Sequence, residues 1–255
     1  MKPYDVRECR VLKNTRVAPE TCDLTVQAGA LAESARPGQF AMISIPGKTL
    51  RRPLSFCGIG RREGTLRFVF RVRGAGTALL ARAVPGGALN LLAPLGAGFN
   101  PGDTGRRALF VGGGLGVPPL LAACGPFGAN AVLAAGFRTK EDILLKEDFE
   151  QRGCRVKIAT DDGSAGHHGL VTELAAGLRF DAVFACGPRP MLRAAAALAK
   201  ARGVPCQVSM EERMACGIGA CLGCAVKLRR GGGETYGRVC RDGPVFDAED
   251  VVWEE

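Results

Sequence analysis

The chain has 255 residues, a hydrophobic content of 47% and a net charge of +9, values that predict one large or two medium folded domains and exclude a disordered chain. No apolar run approaches the roughly 20 residues that cross a bilayer, so no membrane span is predicted. Basic residues are scattered and only two Tyr and one Trp are available for base stacking, so we expect no nucleic-acid partner. We expect instead a basic surface that meets an acidic partner.

The first third of the chain, residues 1–98, predicts a small antiparallel β-barrel. Its extended runs are separated by Pro and Gly turns. They cover residues 23–27, 40–45, 54–59 and 66–73. In the last run Leu66, Phe68 and Phe70 alternate with other residues, as in a strand with one face in the core. The stretch 98–105, rich in Gly and Pro, predicts a linker.

Two short motifs in this segment suit a phosphorylated cofactor. Arg52-Pro53-Leu54-Ser55 places a cation and a hydroxyl close together. Gly74-Ala75-Gly76-Thr77 stands at the predicted entry to a helix, where glycines and a helix N-terminus favour a pyrophosphate. Each motif alone is also compatible with an ordinary strand edge or with a turn and an N-cap.

Residues 106–211 predict an α/β domain with a parallel sheet, because apolar strands alternate with helices. The predicted strands are 108–112, 131–136, 155–160 and 181–186, and the predicted helices are 118–123, 142–151, 170–178 and 190–202. Ligands of such sheets bind at the carboxyl ends of the strands. This edge is therefore the expected nucleotide site.

Two glycine-containing turns fall at that edge. The first contains Gly112, Gly113, Gly114 and Gly116, and the second is Cys186-Gly187-Pro188. The first turn lacks the G-x-G-x-x-G fingerprint, so a tight turn without a ligand remains an alternative. Because both turns end parallel strands, they should meet along one edge and approach a dinucleotide.

Single residues near this edge refine the prediction. Asp161 and Asp162 end the third predicted strand of this segment. Carboxylates at this position accept hydrogen bonds from ribose hydroxyls and repel a 2′-phosphate. The two aspartates therefore favour NAD, and NADP remains an alternative. In nucleotide-binding domains of this fold class, the position of Cys186 would be near the nicotinamide, with an inert buried thiol as the alternative. The adjacent His167 and His168 receive no role.

The last segment, residues 212–255, carries the most specific pattern. Cys216, Cys221, Cys224 and Cys240 follow C-x4-C-x2-C-x15-C, the spacing of a plant-type [2Fe–2S] site. Glycines at 217, 219 and 223 allow the loop to approach a cluster closely. A structural zinc site is the alternative, although it usually pairs its ligands as two C-x2-C knuckles.

A disulfide framework is the other alternative for these cysteines. The start of the chain, Met1-Lys2-Pro3-Tyr4-Asp5, has no apolar run behind a basic cap, so no signal peptide is predicted. The thiols are therefore expected to be reduced and cytoplasmic.

A cluster accepts one electron at a time, whereas a nicotinamide exchanges a hydride. A protein that uses both needs a carrier competent in one-electron and two-electron steps, and a flavin meets that need. The two motifs of the barrel offer the place for it.

In this order the motifs resemble the ferredoxin-reductase superfamily, with its flavin barrel and pyridine-nucleotide domain. The cysteine segment, residues 212–224 together with 239–247, is similar to the electron-transfer subunits of NAD-dependent dihydroorotate dehydrogenases, and this resemblance spans essentially the whole chain. It implies FAD, a [2Fe–2S] cluster and an FMN-containing catalytic partner, assembled as a heterotetramer of two copies of each subunit. In pyrimidine biosynthesis electrons from dihydroorotate would then pass from FMN through the cluster and FAD to NAD⁺.

The resemblance also implies roles for individual residues. Arg52, Pro53, Leu54 and Ser55 would face the flavin ring. Val69, Phe70 and Arg71 would lie on the strand beside it, and Gly76 and Thr77 would hold its pyrophosphate. The four cysteines would ligate the cluster. No catalytic residue for dihydroorotate is expected, because no FMN-barrel segment is present, so the chain alone should not make orotate.

Two other readings remain open at this point. One is a related FAD and [2Fe–2S] subunit that serves a glutamate synthase, ferredoxin or hydrogenase partner with NAD(P)H. The other is a non-enzymatic, zinc-bound adaptor that has lost its cofactors.

Overall fold

Two seven-stranded sheets, one antiparallel and one mainly parallel, form the framework of the chain in a computed structural model that describes residues 4–253. Residues 1–3 and 254–255 of the predicted terminal segments lie outside the described residues. Residues 1–3 also belong to the stretch 1–5, from which we predict that the chain has no signal peptide.

The N-terminal segment is the predicted antiparallel barrel, which is confirmed. Every strand pair in its sheet is antiparallel, and the order is β4-β3-β7-β1-β2-β6-β5. The strands are β1 (Asp5–Ala18), β2 (Thr21–Gln27), β3 (Phe40–Ile43), β4 (Arg52–Ser55), β5 (Gly58–Gly60), β6 (Thr65–Arg71) and β7 (Ala88–Leu95). Two short helices, α1 (Ala30–Ser34) and α2 (Ala75–Leu80), connect them.

One predicted strand of the barrel was wrong. The run 54–59 is divided into β4, which pairs with β3, and β5, which pairs with β6. Between them Phe56 and Cys57 are fully buried, and their N–H groups donate to Gln39 and Arg67. Because β4 and β5 are the two edges of the sheet, this short link joins the edges and helps to close the barrel.

Strand β6 shows why the barrel packs against the next segment. Leu66, Phe68 and Phe70 point into the barrel core, as the alternation predicts. Val69, on the opposite face, packs in a different cluster with residues of the second segment. One face of β6 is therefore part of the interface between the two segments.

The second segment is the predicted parallel α/β sheet, and this prediction is also confirmed. Its strand order is β11-β10-β9-β8-β12-β13-β16, in which β16 is Val245–Asp247 of the cysteine segment. The neighbours from β11 to β13 are parallel, and β16 is antiparallel to β13. Its strands are β8 (Ala108–Gly113), β9 (Ala131–Phe137), β10 (Arg155–Thr160), β11 (His167–His168), β12 (Ala182–Cys186) and β13 (Cys206–Ser209). Its helices are α3 (Val117–Cys124), α4 (Lys146–Gln151), α5 (Val171–Ala176) and α6 (Arg189–Ala201).

The cysteine segment has more regular structure than its sequence predicts. The cysteine spacing indicates a loop, but β14 (Ala225–Arg230) and β15 (Gly233–Arg238) form a hairpin. Strand β16 (Val245–Asp247) then joins the α/β sheet. Cys224, Val226 and Phe246 pack in one core cluster with residues of β12 and β13, so this segment shares the core of its neighbour. The three segment limits stay predictions.

Candidate functional site

Three cavities meet where the barrel and the α/β segment join. The interdomain cavity, of about 240 Å³, lies between them. The sheet-edge cavity, of about 550 Å³, lies at the carboxyl ends of the parallel strands. The basic groove, of about 530 Å³, is lined by Arg71, Arg73 and Arg138 together with Glu20. Arg71 lines all three, so it marks the junction.

The interdomain cavity brings together most residues predicted to contact a flavin, although they come from distant parts of the chain. These are Pro53, Leu54, Ser55, Val69, Phe70, Arg71 and Thr77, with Cys186 from the other segment. The sequence did not indicate the remaining lining residues. These are Phe40, Leu115, Pro119, Ser209, Met210, Glu211, Glu212, Met214 and Pro244.

Arg52 and Gly76, predicted from separate motifs, lie against each other. A Cβ atom on Gly76 would overlap the Arg52 guanidinium, so the glycine leaves the room that this side chain occupies. Nη1 of Arg52 donates to the Leu50 carbonyl at 2.7 Å. The Thr77 hydroxyl accepts from the N–H groups of Arg73 and Gly74 and thereby fixes the turn. The two motifs therefore form one structural unit beside the interdomain cavity.

Arg71 is held by one carboxylate, and its buried Nε donor is unsatisfied. Its Nη2 donates to Asp142 Oδ1 at 2.7 Å. Its Nε is buried and has no hydrogen-bond partner. A buried donor without an acceptor costs free energy, about 1–3 kcal/mol. The position therefore fits an anionic ligand such as a cofactor pyrophosphate, which would supply the missing acceptor.

The predicted glycine turns meet at the sheet-edge cavity. Gly113, Gly114 and Pro188 line it, and β8 and β12 are adjacent strands. Gly114 has a φ of +53° and open space where a Cβ would stand, so backbone there faces the cavity without obstruction. Residues of the lining that the sequence did not indicate include Gly136, Phe137, Arg138, Asp142 and Met191.

Gly112, Gly116 and Gly187 make close contacts within or between the two turns and are absent from the lining of the sheet-edge cavity. A Cβ on Gly112 would meet Val117, and one on Gly187 would meet Met191. A Cβ on Gly116 would overlap the carbonyl group of Cys186. The close approach of Gly116 to Cys186, and of Gly187 to Gly113, holds the carboxyl ends of β8 and β12 together. Direct cofactor contact by these three residues stays a prediction.

The two aspartates at the end of β10 differ in their surroundings. Asp161 lines the sheet-edge cavity. Asp162 accepts hydrogen bonds from the N–H and hydroxyl of Ser164, at 2.9 and 2.6 Å. These bonds hold the pKa of Asp162 below its usual value. Of the two carboxylates, only that of Asp161 lines the cavity.

Residues at the end of β13 surround Cys186. Burial raises the pKa of the Cys186 thiol to about 12, and the nearby Glu211 carboxyl adds to this effect. Burial also raises the pKa of Glu211, while Arg73 lowers it. Cys186 is therefore a neutral thiol at neutral pH. The general rule that ligands bind at the carboxyl ends of parallel strands would have identified Ser209 and Glu211, had β13 been predicted.

The four predicted ligands of the cluster form two pairs. Cys216 interacts with Cys221, and Cys240 interacts with Cys224. Burial acts to raise the pKa of Cys216, but the N–H groups of Ile218 and Cys221 outweigh it and lower this pKa to about 6. Burial, together with Cys224, raises the pKa of Cys240 to about 12. Among residues 4–253 no three side chains converge as ligands of a single metal ion.

The loop that carries these cysteines is fixed from both sides. Sγ of Cys216 accepts from the N–H groups of Ala220 and Cys221, at 3.3 and 3.4 Å. Arg238 Nη1 donates to the Gly219 carbonyl at 3.1 Å, which ties the loop to β15. Gly217 has a φ of +73°, and a Cβ there would meet Met42 of β3 at 2.6 Å. Backbone N–H groups that already face the sulfur of Cys216 fit a ligand of an iron–sulfur cluster.

Comparison with solved structures identifies the class of protein. The chain is similar to an NADH-dependent reduced ferredoxin–NADP oxidoreductase, with a TM-score of 0.82 and 28% identity over 96% of this chain and 90% of that one. The ferredoxin reductase of carbazole 1,9a-dioxygenase shares the fold, with a TM-score of 0.67, 22% identity and coverage of 80% and 67%. The fold is therefore that of the ferredoxin reductases, as the motifs predicted.

Sequence comparison identifies the family. Residues 211–252 match the iron–sulfur cluster binding domain of dihydroorotate dehydrogenase B. The electron transfer subunits of dihydroorotate dehydrogenase B (NAD(+)) from Bacillus caldolyticus and Caldanaerobacter subterraneus are each 43% identical to the chain. These matches cover 92% and 96% of this chain, and 94% and 98% of the relatives. The chain belongs to this family of electron-transfer subunits of an oxidoreductase.

Family membership distinguishes between the functional hypotheses that the sequence left open. It favours the dihydroorotate dehydrogenase subunit over a subunit for another partner, and a cluster over zinc. All eleven cysteines are free thiols, which does not support a disulfide framework. The described helices include none with the length and apolar character that a membrane crossing requires.

Proposed function

We propose that this chain carries electrons from an FMN-containing subunit, where dihydroorotate is oxidised to orotate, to NAD⁺. The pathway would be de novo pyrimidine synthesis, and the carriers within the chain would be a [2Fe–2S] cluster and FAD. One observation carries the proposal. Ser209, the run 210–212 and Met214 line the interdomain cavity, and the first cluster cysteine, Cys216, follows two residues later. The flavin and cluster sites are thus neighbours in both sequence and space.

FAD would lie in the interdomain cavity with its pyrophosphate toward the basic groove. Bound there, it supplies the exchange between two-electron and one-electron chemistry. Pro53, Leu54 and Ser55 would contact the ring from β4. Arg71 would donate its free Nε–H to a phosphate oxygen, with Arg52, Gly76 and Thr77 forming the adjacent wall.

NAD⁺ would occupy the sheet-edge cavity. Gly113 and Gly114 give it a surface without side chains, and Asp161 would accept ribose hydroxyls. The carboxylate would repel a 2′-phosphate, so NAD is favoured over NADP. The neutral Cys186 thiol, which lines the neighbouring interdomain cavity, would help to exclude water between flavin and nicotinamide.

The two cysteine pairs suit a binuclear cluster, because each iron takes two thiolates. Cys216 with Cys221 would hold one iron, and Cys224 with Cys240 the other. Gly217, against Met42, fixes the loop to β3, whose partner β4 lines the interdomain cavity through Pro53. The protein scaffold would thereby keep the distance between cluster and flavin constant.

The partner would dock at the tip of the cysteine loop. Cys221 is exposed there, and two large apolar side chains beside it, Ile218 and Leu222, are 38% and 64% exposed. Exposed apolar groups around a redox centre are typical of a protein contact. We propose a heterotetramer of two such subunits and two FMN subunits. The cytoplasm is the proposed compartment, which the free thiols support.

Reconstitution with the catalytic subunit tests the function. The chain co-purified with an FMN-containing dihydroorotate dehydrogenase subunit is expected to reduce NAD⁺ when dihydroorotate is added under anaerobic conditions. The catalytic subunit alone should reduce an artificial acceptor but not NAD⁺, and this chain alone should form no orotate. Equal NAD⁺ reduction with and without the chain would contradict the proposal.

A further inference from the structure

Strand β6 presents two arginines to the α/β segment, and each meets a carboxylate there. Arg67 and Arg71 are four residues apart, so they share the face that also carries Val69. Nη1 of Arg67 donates to Asp148 of α4, and Nη2 of Arg71 donates to Asp142. Both pairs therefore link the two segments across the same interface.

The two pairs differ in what else surrounds the arginine. Arg67 is also held by Asp23, whose two oxygens accept from Nε and Nη2 at 2.9 and 3.0 Å. Its guanidinium keeps three carboxylate contacts, and neither Arg67 nor Asp148 lines any of the three cavities. The function that we propose needs nothing further from this pair.

Arg71 has a single carboxylate partner in the described ion pairs, and that partner is buried with it. The side chains of Arg71 and Asp142 are only 15% and 13% exposed. Nε of Arg71 has no acceptor, and the side chain lines all three cavities. Asp142 also lies 3.6 Å from Nε of Arg138, which lines the basic groove. One carboxylate thus lies between two arginines of the proposed cofactor sites.

We infer that Asp142 is a positioning residue for FAD: it fixes the Arg71 guanidinium so that the unpaired Nε–H faces the cofactor pyrophosphate. This inference rests on the proposed function. An arginine held at one nitrogen by a buried carboxylate keeps a fixed orientation, whereas a free arginine must lose rotamer freedom when it binds. Asp142 therefore prepares the site before the cofactor arrives.

The test is the dissociation constant of FAD, measured on the full-length chain after FAD removal, by quenching of flavin fluorescence. Asp142→Asn keeps the shape of the side chain and removes its charge. We expect it to raise this constant about tenfold, the effect of losing one charge-assisted contact. The matched control Asp148→Asn removes the same charge from the other pair on β6, and should change the constant by less than about twofold.

A second variant distinguishes the loss of the carboxylate charge from a general loss of stability. Asp142→Glu keeps the charge but adds a methylene at the same buried position, so its effect on the melting temperature of the FAD-free protein should be as large as that of Asp142→Asn. Its FAD affinity should stay within about threefold of the wild type, because the ion pair can re-form. Two results would overturn this inference without affecting the proposed function. One is an equal weakening of FAD binding in all three variants, and the other is unchanged FAD affinity in Asp142→Asn. A wild-type chain that binds no FAD would instead overturn the proposed function.

Discussion

Replacing Cys221 with serine is expected to remove the cluster while leaving the flavin in place. Cys221 is the exposed member of the four cysteines, so the substitution does not disturb the core. It takes one thiolate from the Cys216–Cys221 pair, and loss of a ligand should reduce iron content by about tenfold or more. Cys221 does not line the interdomain cavity, so NADH should still bleach the flavin that we propose to lie there. Iron analysis and the electron paramagnetic resonance of the reduced protein measure both effects.

Cys9 in β1 provides the matched control. It is almost fully buried in the barrel core, in a cluster that contains none of the four predicted cluster ligands. Cys9→Ser should therefore keep full iron content. Wild-type iron in Cys221→Ser, or equal loss in both variants, would refute the assignment of Cys221 as a ligand.

Replacing Gly116 with alanine is expected to destabilise the protein by about 3 kcal/mol, at the upper end for overpacking. Gly116 has ordinary right-handed φ and ψ angles of −76° and −15°, so strain is not the cause. The new Cβ would overlap backbone atoms of Cys186 and Gly187, which cannot rotate away as a side chain can. The turns after β8 and β12 would be forced apart. Urea unfolding of the purified variant measures the loss.

Gly125, which follows α3, provides the matched control, because alanine there adds a methyl group without this clash. It also has right-handed angles, and a Cβ there would approach only the tip of the Arg152 side chain, at 3.3 Å. Gly125→Ala should change stability by less than about 1 kcal/mol. Similar losses in the two variants would show that the contact with Cys186 is unimportant.

Much of this architecture could be predicted from the sequence because its signals are local. The alternation along Leu66, Phe68 and Phe70 indicates a strand with one buried face, and that face is buried as expected. The spacing places three cysteines in a single loop and the fourth in a later segment that comes back to this loop. Short-range geometry largely determines this arrangement. The glycine turns after β8 and β12 follow from the rule for parallel sheets, and they meet as expected.

The features that the sequence did not indicate all depend on long-range pairing. The division of residues 54–59 arises because Phe56 and Cys57 cross between the two edges of the barrel sheet. The pairing of Arg71 with Asp142 joins positions 71 residues apart, and neither residue type predicts its partner. The hairpin of β14 and β15 has short strands with mostly exposed residues in β15, so its hydrophobic pattern is weak.

The most direct test of the whole account is an anaerobic titration of the purified chain with NADH, and separately with NADPH, that follows flavin absorbance and the electron paramagnetic resonance of the cluster. We predict that NADH bleaches a bound flavin and then produces the signal of a reduced [2Fe–2S] cluster. NADPH should require a higher concentration, because the carboxylate of Asp161, in the contact that we propose with the ribose, would repel a 2′-phosphate. A chain that contains neither flavin nor iron, or whose cluster NADH cannot reduce, would contradict the proposed path of electrons.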